Sequence, residues 1–472
     1  TTTIVASSAS STLSVSPAQL SFGLDGSVAT AAQPVLVSTG ASVPWTASTS
    51  AAYLTLMPSA GVGTGDFQVG VVASAIPAGA SVTATVLVSA AGISNSPQAV
   101  TVKISRTTAP RPFGSFDTPL NNTTAAGAIA VTGWALDAVG IENVRTDTSG
   151  NLVAHSGLQI WRSPITGELQ NGLIYLGDAV FVAGARPDVE VAYPTVPDSA
   201  RAGWGYLLLT NELPSGGNGT FVLHAIATNV AGASLELGTK TIVCNNAQSK
   251  LPFGTIDTPA QGGTIAGTGY ANYGWALTPR PGVIPVDGDT LTVFVDGQPL
   301  PGHPVYNNYR SDIATLFPSY ANSGGAVGYY VLDTRQFADG IHSMAWLAVD
   351  SNGQQQGLGS RFFYVQNGSA APAIPESPPV APTQTRTVEV DELGWLELRL
   401  PHVTRGRMVV QGQGRALPPG STLDTKKGVF YWQLAPGFLG EYDLEFDALR
   451  VRVVVHPGRN LKRPPFRSPG VK

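Results

Sequence analysis

An eight-residue stretch that occurs twice constrains the fold of this chain more than any other feature. Residues 112–119 read Pro-Phe-Gly-Ser-Phe-Asp-Thr-Pro, and residues 252–259 read Pro-Phe-Gly-Thr-Ile-Asp-Thr-Pro. Each copy is followed by Gly-Trp-Ala-Leu, at 133–136 and at 274–277. Self-similarity at a domain-sized interval indicates tandem modules rather than one large fold.

The two copies align well beyond this stretch. Residues 186–189 match 310–313, and Gly205-Tyr206 matches Gly328-Tyr329. The matched blocks alternate in the manner of strands, and the insertions between them differ in length as surface loops do. The duplication therefore covers two whole domains.

Composition favours short strands rather than helices along the whole chain. Charged residues make up 12 % of the 472 residues, well below the roughly 25 % of an average protein, while Gly and Pro number 54 and 36. No long run has the apolar spacing of a helix. The sequence predicts an all-β chain of tandem immunoglobulin-like β-sandwich domains. Its predicted parts are a tail at 1–11, sandwiches at 12–107, 108–246 and 247–368, a Pro-rich linker at 369–384, a small β domain at 385–457 and a basic tail at 458–472.

The first sandwich resembles the bacterial BACON-type immunoglobulin-like module. The residues that carry the resemblance lie at 13–17, 20–22, 44–47, 82–86 and 94–102. The resemblance implies a β-sandwich, and some members of that family are discussed as carbohydrate or mucin binders. This domain is mostly Ala, Ser, Thr, Gly and Val, so it offers few aromatic side chains for a sugar ring to stack on.

The other domains resemble modules of bacterial extracellular proteins. Both repeated domains are similar to an immunoglobulin-like module of large secreted bacterial proteins, on the repeated stretch and on 302–306 and 310–318. The last domain resembles the putative-Ig or cadherin-like repeats of bacterial surface proteins, at 417–424, 428–432 and 440–442. These resemblances imply an extracellular, secreted or cell-surface protein and imply no activity.

Charge and cysteine content exclude several classes of partner. The net charge of −4 and the pI near 5.9 argue against a nucleic-acid binder, which needs a basic stripe. No run of about 20 apolar residues is present, so no membrane span is predicted. The chain begins at Thr1 without the regions of a signal peptide, so we expect that any such peptide has been removed. Cys244 is the single cysteine, and its strand-like surroundings predict a buried side chain rather than a nucleophile.

No constellation of catalytic residues is apparent, and we expect a protein that is not an enzyme and has no cofactor. None of the six His residues has His-Glu-x-x-His spacing, and no Gly-x-Ser-x-Gly elbow occurs. An Asp-Thr-Pro turn explains Asp117 and Asp257, the acids of the repeated stretch. Calcium is an alternative at the oxygen-rich turns 287–289 and 350–353, although such sequences are also plain turn formers.

The leading hypothesis for function is an extracellular structural protein, a subunit of a filament or surface layer. Residues 1–11 are uncharged and β-prone, and they precede a complete sandwich, so they are candidates to complete a sheet of the next subunit. The last domain is short for a sandwich and is expected to have an open sheet edge. A head-to-tail contact of this kind makes a homo-oligomer or homopolymer. The central residues of the donated strand would be Thr3, Ile4, Val5 and Ala6.

Two other hypotheses stay open from the sequence. The protein is alternatively an adhesin or carbohydrate-binding protein that recognises surface glycans. Tyr306, Tyr309 and Tyr320 in the third sandwich are then candidates for a sugar-stacking surface. The last hypothesis, a non-catalytic part of an enzyme, ranks third because the chain leaves no room for a catalytic domain after the last strand run.

Overall fold

The computed structural model describes residues 13–458 of the chain, apart from short gaps. The gaps are 17–18, 26–27, 31, 40–42, 64, 78, 108–110, 143, 147–151, 155, 369–383 and 401. The described strands form pairs of facing sheets, and each pair encloses its own core. We name the resulting sandwiches module 1 (13–107), module 2 (113–246), module 3 (253–366) and module 4 (384–458). The chain is thus an all-β array of tandem immunoglobulin-like sandwiches.

Module 1 is built from strands that alternate between buried and exposed side chains. Along β9, for example, every second residue from Ala84 to Ala90 is buried, as expected for a strand with one face on a core. The sheets have the orders β1-β4-β8-β6 and β3-β2-β10-β9-β5-β7. The strands are β1 (Ser14–Ser16), β2 (Gln19–Asp25), β3 (Val28–Ala29), β4 (Gln33–Ser38), β5 (Pro44–Thr49), β6 (Leu54–Met57), β7 (Ala60–Val62), β8 (Gly65–Val71), β9 (Ser81–Ala90) and β10 (Gln98–Thr107).

Module 2 pairs a sheet of order β11-β13-β19-β18 with a sheet of order β12-β21-β20-β16-β17. A small hairpin, β14-β15, lies outside both sheets. The elements are β11 (Phe113–Thr118), β12 (Thr123–Ala125), β13 (Ala128–Leu136), β14 (Val144–Thr146), β15 (Leu152–Ala154), β16 (Leu158–Arg162), β17 (Ile174–Asp178), β18 (Val180–Phe181), α1 (Pro187–Ala192), β19 (Gly203–Leu209), the one-turn α2 (Pro214–Gly217), β20 (Asn218–Thr228) and β21 (Ser234–Asn245).

Module 3 repeats this topology, with sheet orders β22-β24-β28-β27 and β23-β30-β29-β25-β26. Its elements are β22 (Phe253–Ile256), β23 (Gly263–Ile265), β24 (Tyr270–Leu277), β25 (Leu291–Val295), β26 (Gln298–Pro299), β27 (Val305–Asn308), α3 (Ser311–Leu316), β28 (Val327–Leu332), β29 (Gly340–Val349) and β30 (Gln355–Val365).

Module 4 has one sheet of order β31-β38-β37-β33-β34 and a smaller one of order β32-β36-β35. Its large sheet ends at β31, an exposed strand that carries charges such as Arg386 and Glu389. The strands are β31 (Gln384–Asp391), β32 (Trp395–Arg399), β33 (Gly406–Val410), β34 (Gln413–Arg415), β35 (Ser421–Asp424), β36 (Val429–Gln433), β37 (Gly440–Phe446) and β38 (Leu449–His456).

All four modules share one parallel pairing between an early strand and the last strand. The pairs are β2 with β10, β12 with β21, β23 with β30 and β31 with β38. Because parallel neighbours run in the same direction, the early strand begins at one end of the module and the last strand finishes at the other. This pairing suits modules that follow one another along the chain.

The strand ladders correct one match predicted between the two copies. Gly205 pairs across the sheet with Thr132, and Tyr329 pairs across its own sheet with Tyr273. Thr132 and Tyr273 each directly precede a Gly-Trp pair, so they are equivalent. Gly205 therefore corresponds to Tyr329, one residue later than the predicted match to Gly328. The mismatch arose because a Gly-Tyr pair occurs by coincidence in both strands.

The cores of modules 2 and 3 are filled by tryptophans from different sheets. Gly133 and Gly274 are equivalent, and each faces an indole ring that leaves little room for a Cβ atom. In module 2 the ring belongs to Trp204 of the neighbouring strand β19. In module 3 it belongs to Trp346 of β29, in the facing sheet. The equivalent space beside the two glycines is thus filled by an indole ring in both modules, but the ring comes from opposite sheets.

Modules 2, 3 and 4 pack against one another. Ala128 and Leu209 of module 2 share a buried cluster with Phe253 and Trp275 of module 3. The core of module 4 is likewise continuous with buried residues of both other modules, including Phe362 of module 3. Module 4 therefore lies back against the two repeated modules.

Candidate interaction sites

The acid of the repeated stretch has the same structural role in both copies. Asp117 forms an ion pair with Arg186, and Asp257 pairs with Arg310 at 2.5 Å. Each arginine also donates to the aspartate two residues after it, at the start of α1 or α3. The two blocks that the repeat shares, Asp-Thr-Pro and Arg-x-Asp, are thereby joined in space. These acids hold a loop onto the sheet.

The three tyrosines predicted to form a sugar-stacking surface are not brought together on one surface. Tyr306 is only 5 % exposed, and its hydroxyl donates to the carbonyl oxygen of Ala276 at 2.7 Å. Tyr320 packs edge-on against Phe253, with ring centroids 4.9 Å apart. Tyr309 alone is largely exposed. The grouping fails because Tyr306 points to the inner side of β27.

The residues predicted to donate a strand, Thr3, Ile4, Val5 and Ala6, lie outside the described residues. Strand donation therefore stays a prediction. Within the described part of the chain, the outer edge of β31 pairs with no other strand.

The acidic turns considered for calcium are occupied by hydrogen bonds of the chain itself. Asp350 accepts from the hydroxyl of Thr278 at 2.8 Å and from the backbone N–H groups of Asn352 and Gln354 at 2.9 Å. Among the described residues, no group of three or more His, Cys, Asp and Glu side chains is placed to hold a metal ion. The carboxylate of Asp350 acts as a turn former.

Module 3 exposes an apolar sheet face. We define the module 3 face as Val305, Tyr329, Tyr273 and Val331, on β27, β28 and β24. Val305 pairs across the ladder with Tyr329, which pairs with Tyr273, so the three form one row. Val305, Tyr273 and Val331 are 52 %, 42 % and 57 % exposed, and the two tyrosine rings lie 5.8 Å apart. Outer faces of antiparallel sheets are usually polar, so this face is unusual.

The equivalent face of module 2 is an interface with module 4. Thr132 and Gly205, which correspond to Tyr273 and Tyr329, are covered there. A Cβ atom on Gly205 would lie 2.1 Å from the backbone of Pro436, so module 4 approaches this strand at backbone distance. The same side of the same sheet is therefore buried in one copy and exposed in the other.

The contact between modules 2 and 4 contains a buried acid. Glu392, which follows β31, is 5 % exposed. Its Oε1 atom accepts from the hydroxyls of Thr118 at 2.8 Å and Thr132 at 2.9 Å, and its Oε2 atom accepts from the backbone N–H of Gly458 at 3.0 Å. Burial raises the pKa of Glu392 to about 7, because a carboxylate loses its hydration there. Nearby, the hydroxyl of Tyr442 donates to the carbonyl oxygen of Ala185 at 2.5 Å.

A turn of module 3 makes the second contact with module 4. The carbonyl oxygen of Asp296 accepts from the hydroxyl of Thr422 at 3.0 Å, and that of Gly297 accepts from the indole of Trp395 at 3.0 Å. His342 holds this turn from within module 3, with Nδ1 2.5 Å from the Asp296 carboxylate. Module 4 therefore contacts both repeated modules through hydrogen bonds, and Arg415 of module 4 also forms an ion pair with Glu190 of module 2 at 2.7 Å.

Reasoning from the sequence missed both the module 3 face and the buried acid. A signal existed for the face, because Tyr273 lies two residues before Trp275, and residues at this spacing share one side of a strand. Glu392 has no comparable signal, since it reads as a polar residue beside a Gly-containing turn.

In the described part of the chain, no helix is long and apolar enough to cross a membrane. No protein-family model matches the chain, and no curated protein sequence matches it. Solved structures do match. A GH5 xyloglucanase of Bacteroides ovatus, in complex with an XXXG heptasaccharide, is 19 % identical, with a TM-score of 0.18. That match covers 31 % of this chain and only 31 % of the length of the xyloglucanase chain.

Two further matches extend over most of the chain. The insect immune protein hemolin is 12 % identical and covers 95 % of this chain and 100 % of its own, with a TM-score of 0.20. The N-terminal four Ig domains of Dscam1 isoform 6.9 are 8 % identical and cover 95 % and 100 %, with a TM-score of 0.24. At TM-scores this low, these likenesses carry no argument about function.

Proposed function

We propose that the protein is an extracellular structural protein, a subunit of a bacterial filament or surface layer that associates through its β-sandwich modules. The observation that carries the proposal is the module 3 face. Its side chains are apolar or aromatic and lie across three strands, while the equivalent face of module 2 is covered. Exposed apolar patches of this kind mark contact surfaces, and Tyr is enriched in protein interfaces.

A second copy of the chain is the partner that we favour. Val305, Tyr329, Tyr273 and Val331 carry no charge, so two such faces do not repel each other. The face is also continuous with the contact between modules 2 and 3. Trp275 and Val327 lie next to Tyr273 and Tyr329 on the same side of β24 and β28, and both are buried with residues of module 2. A homo-oligomer or homopolymer would extend this burial.

The proposal is tested by substituting the face and measuring association. The variant Tyr273→Ser with Val331→Thr keeps the strands but removes most of the exposed apolar surface. Leu169→Ser is the matched control, because Leu169 is a fully exposed apolar residue in a loop of module 2. Sedimentation velocity over a range of concentrations is expected to show association of the wild type and the control but not of the face variant. A monomeric wild type, or equal association of all three proteins, would contradict the proposal.

Strand donation by residues 1–11 is the finer mechanism that we propose for filament growth. The open edge of β31 in module 4 is one acceptor that the described residues offer. Deletion of 1–11 should abolish filaments in electron micrographs while leaving any association through the module 3 face. Unchanged filaments would contradict strand donation but would not affect the proposal about the module 3 face.

The second candidate function is adhesion or carbohydrate binding. The observation that favours it is the pair Tyr273 and Tyr329, since exposed aromatic rings can stack on sugars. A glycan array probed with the whole chain and with Tyr273→Ser distinguishes the two functions. Glycan binding that the variant loses would support recognition of surface glycans, whereas no binding to any glycan would count against it.

A further inference from the structure

Three side-chain oxygen atoms lie within hydrogen-bonding distance of one another at the contact between modules 2 and 4. Two belong to threonines of module 2, and the third is Oε1 of Glu392 in module 4. The hydroxyl oxygens of Thr118 and Thr132 are 2.6 Å apart, and they lie 2.8 Å and 2.9 Å from Oε1 of Glu392. All three distances are those of hydrogen bonds, so each contact requires one hydrogen atom between its oxygens. All three side chains are buried.

Counting hydrogens shows which form of the acid fits. Each threonine hydroxyl supplies one hydrogen, and an ionised carboxylate supplies none. Two hydrogens cannot serve three contacts, so one pair of buried oxygens would face each other without a hydrogen. A proton on Oε1 of Glu392 supplies the third. The other oxygen, Oε2, accepts from the N–H of Gly458 at 3.0 Å and needs no proton.

The charges around Glu392 do not favour its ionised form. From module 2, the charge of Asp117 raises the pKa of Glu392, and Asp117 is itself paired with Arg186. From module 4, the uncharged phenol of Tyr442 faces the acid. The imidazole of His456 lies 3.3 Å from Glu389 instead. Among the described residues, no Lys, Arg or His side chain forms an ion pair with Glu392.

We propose that the contact between modules 2 and 4 is proton-dependent, closed when Glu392 is protonated and weakened when Glu392 is ionised. Separation would let water hydrate the acid, which then regains its ordinary acidity. At any pH between the ordinary pKa of a glutamic acid and the raised pKa at the contact, docking of module 4 onto module 2 therefore takes up a proton. Rising pH opposes docking across this window. Weakening the contact would expose Thr132 and Gly205, the counterpart of the module 3 face, so pH would control whether this sheet face is accessible.

The size of the effect follows from the two pKa values. With the pKa of Glu392 moved from 4.5 to about 7, docking should weaken roughly 30-fold between about pH 5.5 and about pH 8. Most of this change falls below neutral pH, because above about pH 7 the acid is ionised in both states. The inference does not depend on the proposed filament, since it concerns contacts within one chain.

Hydrogen exchange of the whole chain measures this contact directly. The backbone N–H of Gly437 in module 4 is buried against the backbone of Gly205 in module 2, so its protection reports opening of the contact. After correction for the intrinsic pH dependence of exchange, protection of this amide in the wild type should fall about 30-fold from pH 5.5 to pH 8. Amides in β9 and β10 of module 1 serve as the internal reference and should not change. A flat profile in the wild type would overturn the proposal.

Two variants assign the effect to the acid. In Glu392→Gln the amide nitrogen can donate to both threonines while the amide oxygen accepts from Gly458, so the variant mimics the protonated acid. Its protection should match the wild type at low pH and should not change with pH. Glu389→Gln, at an exposed acid of the same strand region, should keep the full pH dependence. A 30-fold change that persists in Glu392→Gln would refute the role of Glu392, because other buried acids would then be responsible.

Discussion

The different origins of the tryptophans in modules 2 and 3 predict that one core can be converted into the other. Trp204 in β19 corresponds to Gly328, and Ala225 in β20 corresponds to Trp346 in β29. Both Trp204 and Ala225 are completely buried. We therefore expect that Trp204→Gly and Ala225→Trp are each harmful alone and compensate each other when combined.

The magnitudes follow from volume. Removing a buried tryptophan costs about 3–5 kcal/mol, since the surrounding core collapses only partly. Glycine within a strand adds about 0.5–1 kcal/mol. Placing a second indole at Ala225 while Trp204 remains overpacks the core, at a cost of about 3 kcal/mol. The single losses add to about 7 kcal/mol, comparable to the whole stability of many domains. The double variant refills the same space, so its net loss should be only about 1–2 kcal/mol.

Native-state hydrogen exchange is the assay, because it reports the opening free energy of each module separately in a chain that does not unfold as one unit. Amides of β13 and β19 report module 2, and those of β24 and β28 in module 3 are the control, which should change by less than about 0.5 kcal/mol. A coupling near 5 kcal/mol is expected. Additive losses in the double variant would show that the two indole rings do not occupy equivalent space.

Three further predictions concern single groups. Asp117→Asn should lower the free energy of unfolding by about 3 kcal/mol and Asp257→Asn by about 1 kcal/mol, because the arginine partners are 10 % and 34 % exposed. Thermal unfolding measures both, and equal losses would contradict this prediction. Burial raises the pKa of the Cys244 thiol to about 12, so a thiol reagent at mildly alkaline pH should label it only after unfolding. Burial lowers the pKa of His342, but Asp296 outweighs burial and raises it overall. The imidazolium should therefore stabilise module 3 fully below about pH 6.5 and lose this effect as pH rises through the raised pKa, which a pH series of melting temperatures would detect.

The features that could be predicted from the sequence are those set by local patterns. Alternation within β9 and turn residues between strands indicated sandwiches, and the repeated stretch indicated duplication. The predicted tyrosine surface failed because it grouped residues that do not share a face. Tyr306 and Tyr309 are three residues apart, so along an extended strand they point to opposite sides. Burial alternates from Pro304 to Tyr309, with Tyr306 buried and Tyr309 exposed.

Contacts between modules could not be predicted, because a repeated sequence specifies only the contacts that both copies make. The threonine of Asp-Thr-Pro illustrates this. In module 2 the hydroxyl of Thr118 donates to Glu392 of another module, whereas in module 3 the hydroxyl of Thr258 donates to a carbonyl of β24 in its own sheet. The neighbouring position differs between the copies, with Thr132 in one and Tyr273 in the other. Tyr273 lacks the short-chain hydroxyl with which Thr132 donates to Glu392, so module 3 does not offer a module 4 the same pair of donors. Its face is therefore left for a different partner, and this single difference between the copies is what we would exchange first to redirect the contact.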